Sequence, residues 1–382
     1  MNDQKQLIVF SNGDAWDAST WSNVPYMFLT TFKRICPNVE IHTFDMSQAC
    51  SGLVLSVLVK CWNRIAIPLL GPFCSFDRTS FWRRLLTQKM RNFEKHVARG
   101  GGVLLSFDFS NPAPRLAGYK TVLFCDWTID YAIREHQHRT PTASEKRLIE
   151  RQSDALSDAN LVVSLFPRSA ELIRESSPKA KVCYFGLPAN IVDEGARANF
   201  ERFGSRRLLF IGKPAYLASL RVVVQGLEAF NSSHPGFELG LDVIGMESGP
   251  GGGNVTYHGF LRKDIDADRD LFYGLIASAK ALVTVSDSWV GASSIVEAMS
   301  LGTPAIVTPN IKLKAMLGDL DWGFWCEYSS DAVSKRLSDL DALTEEGLRK
   351  MCHTAADTVE DFTWENLVRN WCAEVGFEKG GE

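Results

Sequence analysis

Short runs of apolar residues alternate with longer stretches whose apolar positions recur every three or four residues, almost throughout the chain. In the first half the runs predict strands at Leu7–Ser11, Val39–Thr43, Gly102–Ser106, Thr121–Cys125, Leu161–Ser164 and Lys181–Phe185. Between them, Ser144–Leu156 and Arg168–Arg174 have helical spacing. That order argues for a parallel sheet with helices on both faces. The polar, turn-rich segment Gly186–Arg207 reads as a linker. The pattern then restarts with strand Leu208–Gly212, a helix to Phe230, and strands Glu238–Ile244 and Asn254–Tyr257. Helix Asp268–Ala277, strand Leu282–Val285, another helix and strand Ala305–Thr308 complete it. The expectation is an α/β chain of two doubly wound, Rossmann-like domains facing a cleft, at 1–195 and 196–360, followed by a C-terminal segment at 361–382. Ligands of such sheets sit beyond the carboxyl ends of the strands.

Composition narrows the class. The 382 residues are 45% apolar and 23% charged, ordinary for a soluble globular protein. A net charge of −4 argues against a nucleic-acid partner. Nine cysteines without a C-x-x-C pair fit reduced thiols in a cytoplasmic protein. The start, "MNDQKQLIVFSNGD", runs from polar residues straight into a strand, without a secretory pattern. Lys60, Asn63 and Arg64 interrupt the most apolar window, Gly52–Gly71, which argues against a spanning helix.

The chemistry concentrates in "TVSDSWVGASSIVEAMSLGTPAIV", Thr284–Val307. A buried strand leads through a serine-rich loop into a helix that Gly302 and Pro304 end. The N-terminus of that helix, near Ser293 or Ser294, can bind a phosphate through its N–H groups. Gly291 and the small Ala292 let a ligand approach the backbone. Glu297, one turn in, can accept hydrogen bonds from a ribose diol. Ser294 and Glu297 also fit a capping box, in which the carboxylate only reaches back to an N–H. Both readings stand on these residues.

"GASSIVEAMSLGTPAIV" resembles the donor-binding segment of the retaining nucleotide-sugar glycosyltransferases of family four, which have the GT-B fold. "LLFIG" (Leu208–Gly212) is similar to the first strand of their donor domain, and "NVTYHGFLRKDIDADRDLFYGLIASAKALVTVS" to a later strand, polar turn and following helix. Trp21–Phe32, Leu104–Tyr131, Val182–Ile191 and "DFTWENLVRNW" (Asp361–Trp371) keep the family's spacing. The resemblance implies a glycosyltransferase that moves a sugar from a nucleotide diphosphate donor to a glycan or lipid-linked acceptor, building a cell-surface polysaccharide or glycolipid. It also implies retention of configuration, no obligatory metal and no cofactor. The first domain would take the acceptor and the second the donor, and the last helix would return to the first domain. Glu297 would hold the donor ribose, and Ala292–Ser294 the phosphates. Phe260 and Lys263, in the turn after strand Asn254–Tyr257, would lie at the donor. Asp126, with Asn12 and Gly13 in the first strand-to-helix loop, would face it from the other domain.

Two positions depart from the family. Eight residues before Glu297 it usually has a second glutamate; here Trp289 stands there. Where it commonly has an Arg/Lys pair for the diphosphate, this chain has Leu217 and Ala218, with Lys213 and Arg221 as the nearest cations. Charge stabilisation of a leaving diphosphate must then come from Lys213, Arg221 or Lys263. The rival expectation is a degenerate GT-B protein that binds nucleotide or glycan, or supports a partner enzyme, without turnover.

Other features have plainer readings. "GPGGGN" (Gly249–Asn254) joins two strands and is a turn rather than a phosphate loop. Asp264, Asp266 and Asp268 read as helix N-terminal charges, not metal ligands. Asp126, at a strand end, also fits a turn cap. Residues 78–99 carry seven Lys/Arg against one acid, with Phe81, Trp82, Leu85, Leu86 and Met90 interleaved. They fit either a helix lying peripherally on the inner face of an anionic membrane or a surface helix whose apolar stripe enters the core.

Overall fold

The computed structural model describes residues 5–48, 52–191, 198–286, 292–319 and 321–377. The chain divides into two compact units: unit 1 is Met1–Gly186 with Trp364–Glu382, and unit 2 is Leu187–Thr363.

Unit 1 contains strands β1 (Gln6–Ser11), β2 (Glu40–Asp45), β3 (Gly102–Ser106), β4 (Tyr119–Cys125), β5 (Leu161–Ser164) and β6 (Val182–Cys183). They form a parallel sheet in the order β2-β1-β3-β4-β5-β6, so the winding reverses between β1 and β3. Every residue of β1 is buried, as expected for a parallel strand covered on both faces. The helices are α1 (Val24–Ile35), α2 (Leu53–Leu70), α3 (Ser80–Val97), the short α4 (Ile129–Tyr131), α5 (Ala143–Asp158) and α6 (Pro167–Ser176). Pro25 sits in the first turn of α1, where its missing N–H costs no intrahelical bond. The inner face of that helix buries Met27, Phe28, Leu29 and Phe32.

The most apolar window folds as α2, which leaves an outward row of Leu58, Trp62, Ile65 and Leu69, the last 75% exposed. Among the described residues no helix is long and apolar enough to cross a membrane. The basic segment 78–99 is mostly α3. Its Leu86 and Met90 are buried, and Trp82 and Phe93 pack on the core around Ile8, Phe10 and Leu104. The apolar stripe therefore enters the core, while Phe81 stays exposed. At the end of α2, Gly71 has φ +119° and abuts Glu145, so a Cβ there would overlap the carboxylate. Glu145 closes a capping box with Thr142 at the start of α5. It also grips Arg139 through both oxygens at 2.7 Å.

Unit 2 contains β7 (Arg207–Ile211), β8 (Gly240–Ile244), β9 (Val255–Tyr257), β10 (Ala281–Thr284), β11 (Ala305–Val307) and β12 (Gly323–Trp325). Its sheet runs β12-β11-β10-β7-β8-β9, with the reversal between β7 and β10. The helices are α7 (Leu217–Ser233), α8 (Asp266–Ser278), α9 (Ala292–Ser300), α10 (Ile311–Leu317), α11 (Ser330–Asp341) and α12 (Glu345–Thr358). Phe210, Val223, Leu227, Phe230 and Val243 lie in its core.

One segment differs from its polar appearance. Arg202, in the stretch that reads as a linker, is only 2% exposed. Its guanidinium donates to the carbonyls of Asn199 (2.8 Å), Ile276 (2.8 Å), Ala279 (2.7 Å) and Leu301 (2.6 Å). Three of those oxygens lie at the ends of α8 and α9, where helices leave carbonyls without intrahelical partners. Arg202 thus acts as a shared C-terminal cap.

The final helix, α13 (Trp364–Val375), belongs to unit 1, as the family resemblance implies. Trp371 is fully buried and packs edge-on against Phe28 and Phe32, with ring centroids 5.0 and 5.7 Å away. Lys120 donates to the Val375 carbonyl at 2.9 Å, and Arg34 pairs with Glu365 at 3.1 Å.

Candidate functional site

The reversal between β7 and β10 places a crevice beyond the carboxyl ends of those strands, where open α/β sheets bind ligands. β10 delivers the chain toward α9, whose first turn holds Ala292, Ser293 and Ser294. Trp289 and Gly291 lie outside the described residues. Ser294 is inside α9 rather than at its N-cap, so the capping box does not describe Ser294 and Glu297. The Glu297 carboxylate instead accepts from Lys263 Nζ at 2.7 Å, in a pair only 6% and 11% exposed.

Lys263 is held from two further sides. It donates to the Asn190 carbonyl at 3.2 Å and lies 4.4 Å from the centre of the Phe272 ring. An ion pair this buried is costly to break from either end, because the surviving charge is left without its partner. A carboxylate pinned on one oxygen by a lysine keeps acceptor capacity for a diol on the other.

The remaining donor-side candidates are open to solvent. Phe260 is 60% exposed, three residues before Lys263. Lys213 follows β7 by two residues and is exposed, as is Arg221 in the second turn of α7. No carboxylate among the described residues pairs with Lys213 or Arg221, so both charges are uncommitted. Leu217 and Ala218 occupy the first turn of α7. The acidic run is used locally: Arg262 forks onto Asp264 (3.1 and 2.6 Å), and its N–H donates to Asp268 at 3.0 Å. Among the described residues no three His, Cys, Asp or Glu side chains group as a metal site.

In unit 1, Gly13 has φ +111° and donates its N–H to Asp45 at 2.9 Å, so that donor is already engaged. Burial alone would raise the Asp45 carboxyl, but hydrogen bonds from the Ser47 hydroxyl and the Ser47, Gly13 and Gln48 N–H groups hold it below the usual range. Asp126, directly after β4, accepts from the Trp127 N–H (2.9 Å) and the Cys125 thiol (3.2 Å). Asn12 is exposed and lines a pocket of about 340 Å³ with Arg78, Trp82, Asp108, Ser110 and Asn111. That pocket lies at the carboxyl ends of β1 and β3, the reversal point of the first sheet.

No family model matches the chain, and no curated protein matches it. Solved structures do. The chain is similar to alpha,alpha-trehalose 6-phosphate synthase from Burkholderia multivorans at 9% identity and TM-score 0.64, covering 97% of this chain and 98% of that one. Sucrose-phosphate synthase from Thermosynechococcus elongatus matches at 13% identity and TM-score 0.57, covering 97% and 98%. S. aureus TarM, a mutant in complex with Fondaparinux, alpha-GlcNAc-glycerol and UDP, matches at 10% identity and TM-score 0.54. There the match covers 76% of this chain, which spans 59% of TarM. The fold is GT-B.

Within this GT-B chain, Glu297 and Lys263 are the sequence candidates that come into direct contact. Three contributors escaped the sequence reading: Asn190 and Phe272, which fix Lys263, and Arg78 in the unit 1 pocket. The first two fall in segments that resemble the family's, but nothing there marks them as partners of Lys263. Arg78 was visible only as part of a basic run.

Proposed function

We propose that this GT-B chain is a glycosyltransferase that takes a nucleotide diphosphate sugar in unit 2 and transfers the sugar to an acceptor hydroxyl held by unit 1. The observation that carries this reading is the buried pair between Glu297 on α9 and Lys263 in the turn before α8, beside the reversal crevice of the second sheet. Glu297 receives the ribose diol, and the first turn of α9 receives phosphate oxygens. Lys213 and Arg221 supply positive charge for the departing diphosphate. TarM, similar in fold, was solved with UDP, which makes a uridine nucleotide the first donor to test. Retention of configuration, independence from metal, and a role in cell-surface polysaccharide or glycolipid synthesis at the inner membrane face belong to the same proposal.

Glu297→Gln tests it. An amide accepts more weakly than a carboxylate, so affinity across a panel of UDP, GDP, ADP and CMP should fall about tenfold for the nucleotide that binds best. Calorimetric titration reads the change. If affinity holds while the melting temperature drops, the pair is purely structural and the donor assignment fails.

Lys213→Ala separates phosphate from nucleoside recognition. The variant should lose about tenfold in affinity for the nucleoside diphosphate and little for the free nucleoside, because the lost contact is to phosphate. Equal losses for the two ligands would remove Lys213 from the site.

Leu217 and Ala218, in place of a cationic pair, favour a second reading: a GT-B protein that binds nucleotide or glycan, or supports a partner enzyme, without turnover. A donor-hydrolysis screen over several nucleotide sugars discriminates. Nucleotide binding without any hydrolysis or transfer favours the second.

A further inference from the structure

Cys36 and Cys372 stand 336 residues apart in sequence, yet their sulfurs lie 3.9 Å from each other. Cys36 ends α1, where its N–H donates to the Phe32 carbonyl at 2.8 Å. Cys372 lies on α13, directly after Trp371. The ring contacts of Trp371 with Phe28 and Phe32 hold these two helices together. The thiols are thus brought side by side by packing that neither of them supplies. Cys74, Cys125 and Cys326 are placed differently, each donating to an oxygen.

Both side chains are buried, Cys36 at 3% and Cys372 at 5% exposure. Each is nonetheless only one layer deep, since Pro37, Asn38, Ala373 and Glu374 beside them are exposed. A molecule close to water in size has a short way in. The hydrogen bond between the thiols holds Cys36 below the ordinary thiol range and Cys372 above it, and burial raises both. Cys36 is therefore the readier nucleophile and Cys372 its proton-bearing partner. A disulfide is about 2.05 Å long, so the sulfurs must close by about 1.9 Å. Rotations of the two side chains share that shift.

We propose that Cys36 and Cys372 form a disulfide when hydrogen peroxide is present, stapling α13 to α1 and joining the two separate stretches of chain that make unit 1. The Cys36 sulfur attacks one peroxide oxygen. An S–O bond forms, the O–O bond breaks, and the leaving hydroxide takes the thiol proton as water. Cys36 is then a sulfenic acid. The Cys372 sulfur attacks the sulfenic sulfur, so that the S–S bond forms and the S–O bond breaks. The departing hydroxide takes the Cys372 proton as a second water. Two electrons pass from the sulfurs to the peroxide, and a dithiol restores both thiols by exchange. This switch is independent of the glycosyltransferase reading.

The experiment treats the full chain with hydrogen peroxide, alkylates the remaining thiols after unfolding, and maps the unreduced digest by mass spectrometry. The Cys36 and Cys372 peptides should appear joined, and dithiothreitol should separate them. A cross-link over so long a loop restricts the unfolded chain, so scanning calorimetry should place the unit 1 transition roughly 5 °C or more higher after peroxide. Dithiothreitol should return it. Cys372→Ser, compared with itself with and without peroxide, should show neither link nor shift. Serine still donates to the Cys36 sulfur, so dimedone should trap the sulfenic acid there. Should that variant not fold, Cys36→Ser should likewise lose link and shift. Cys61→Ser, which removes an exposed thiol, should keep both. Full alkylation of Cys36 and Cys372 once peroxide has oxidised Cys61 overturns the proposal. So does a link from either to another cysteine, or a link that leaves the melting temperature where it was.

Discussion

Arg202→Met is expected to destabilise unit 2 by about 4 kcal/mol, toward the upper end for a single substitution. The methionine stem fills much of the same space, so the loss comes from hydrogen bonding rather than from a cavity. Four carbonyl oxygens, of Asn199, Ile276, Ala279 and Leu301, would lose a charged donor in a site closed to water. Hydrogen bonds to charged groups each contribute roughly 1.5–3 kcal/mol, and two of these oxygens keep another donor, so the total stays below the simple sum. Ile276 O still accepts from the Thr303 hydroxyl at 2.8 Å, and Leu301 O from the Asn199 N–H at 3.1 Å. Burial lowers the Arg202 guanidinium to about 10, which leaves it charged at neutral pH. Scanning calorimetry should show a transition about 10 °C lower, at roughly 2–4 °C per kcal/mol for a unit of this size. Arg202→Lys should recover only part, because one ammonium cannot span oxygens set for a planar fork. A shift of less than ~2 °C in the methionine variant would show that the four contacts contribute little.

Glu145→Gln should cost unit 1 about 3 kcal/mol at pH 7, with a loss that depends on pH. The side chain is fully buried. Burial alone would raise its carboxyl, but Arg139, the Thr142 N–H and the Phe73 N–H together bring it down to about 2. A carboxyl depressed in the folded state stabilises fully above its unfolded value and loses that contribution as pH falls through the folded value. The window therefore runs from roughly pH 5 down to pH 2. Urea unfolding of the two proteins should differ by about 3 kcal/mol at pH 7 and by about 1 kcal/mol near pH 3. A difference that does not change with pH would mean the loss is one of packing. Gly71 belongs to the same arrangement, since any side chain there would meet the Glu145 carboxylate.

Most of the fold is legible in the chain because buried parallel strands are short, continuous and apolar, with helical spacing between them. β3 and β5 fall where the pattern predicts, and β1, β4 and β7 differ by one or two residues. β12 is missing from that reading, since three residues, "GFW", carry no period. The site is legible in a different measure. Glu297 stands out through its motif and the resemblance puts Lys263 near the donor, but that the two pair, 34 residues apart, leaves no sign in the sequence. Arg202 is hidden completely: its neighbours are polar, and its partners are backbone carbonyls, which leave no trace in side-chain identity.

The return of α13 to unit 1 has a consequence for synthesis. When residues up to Gly186 have left the ribosome, Phe28 and Phe32 have no Trp371 to cover them. All of unit 2 must be translated first, which at 5–20 residues per second takes on the order of 10–30 s. During that interval unit 2 can close as a continuous stretch, while the earlier-made unit waits with an aromatic face open. Unit 2 can therefore complete its core before unit 1 does, although unit 1 emerges first. A fragment ending before Trp364 would carry that open face permanently.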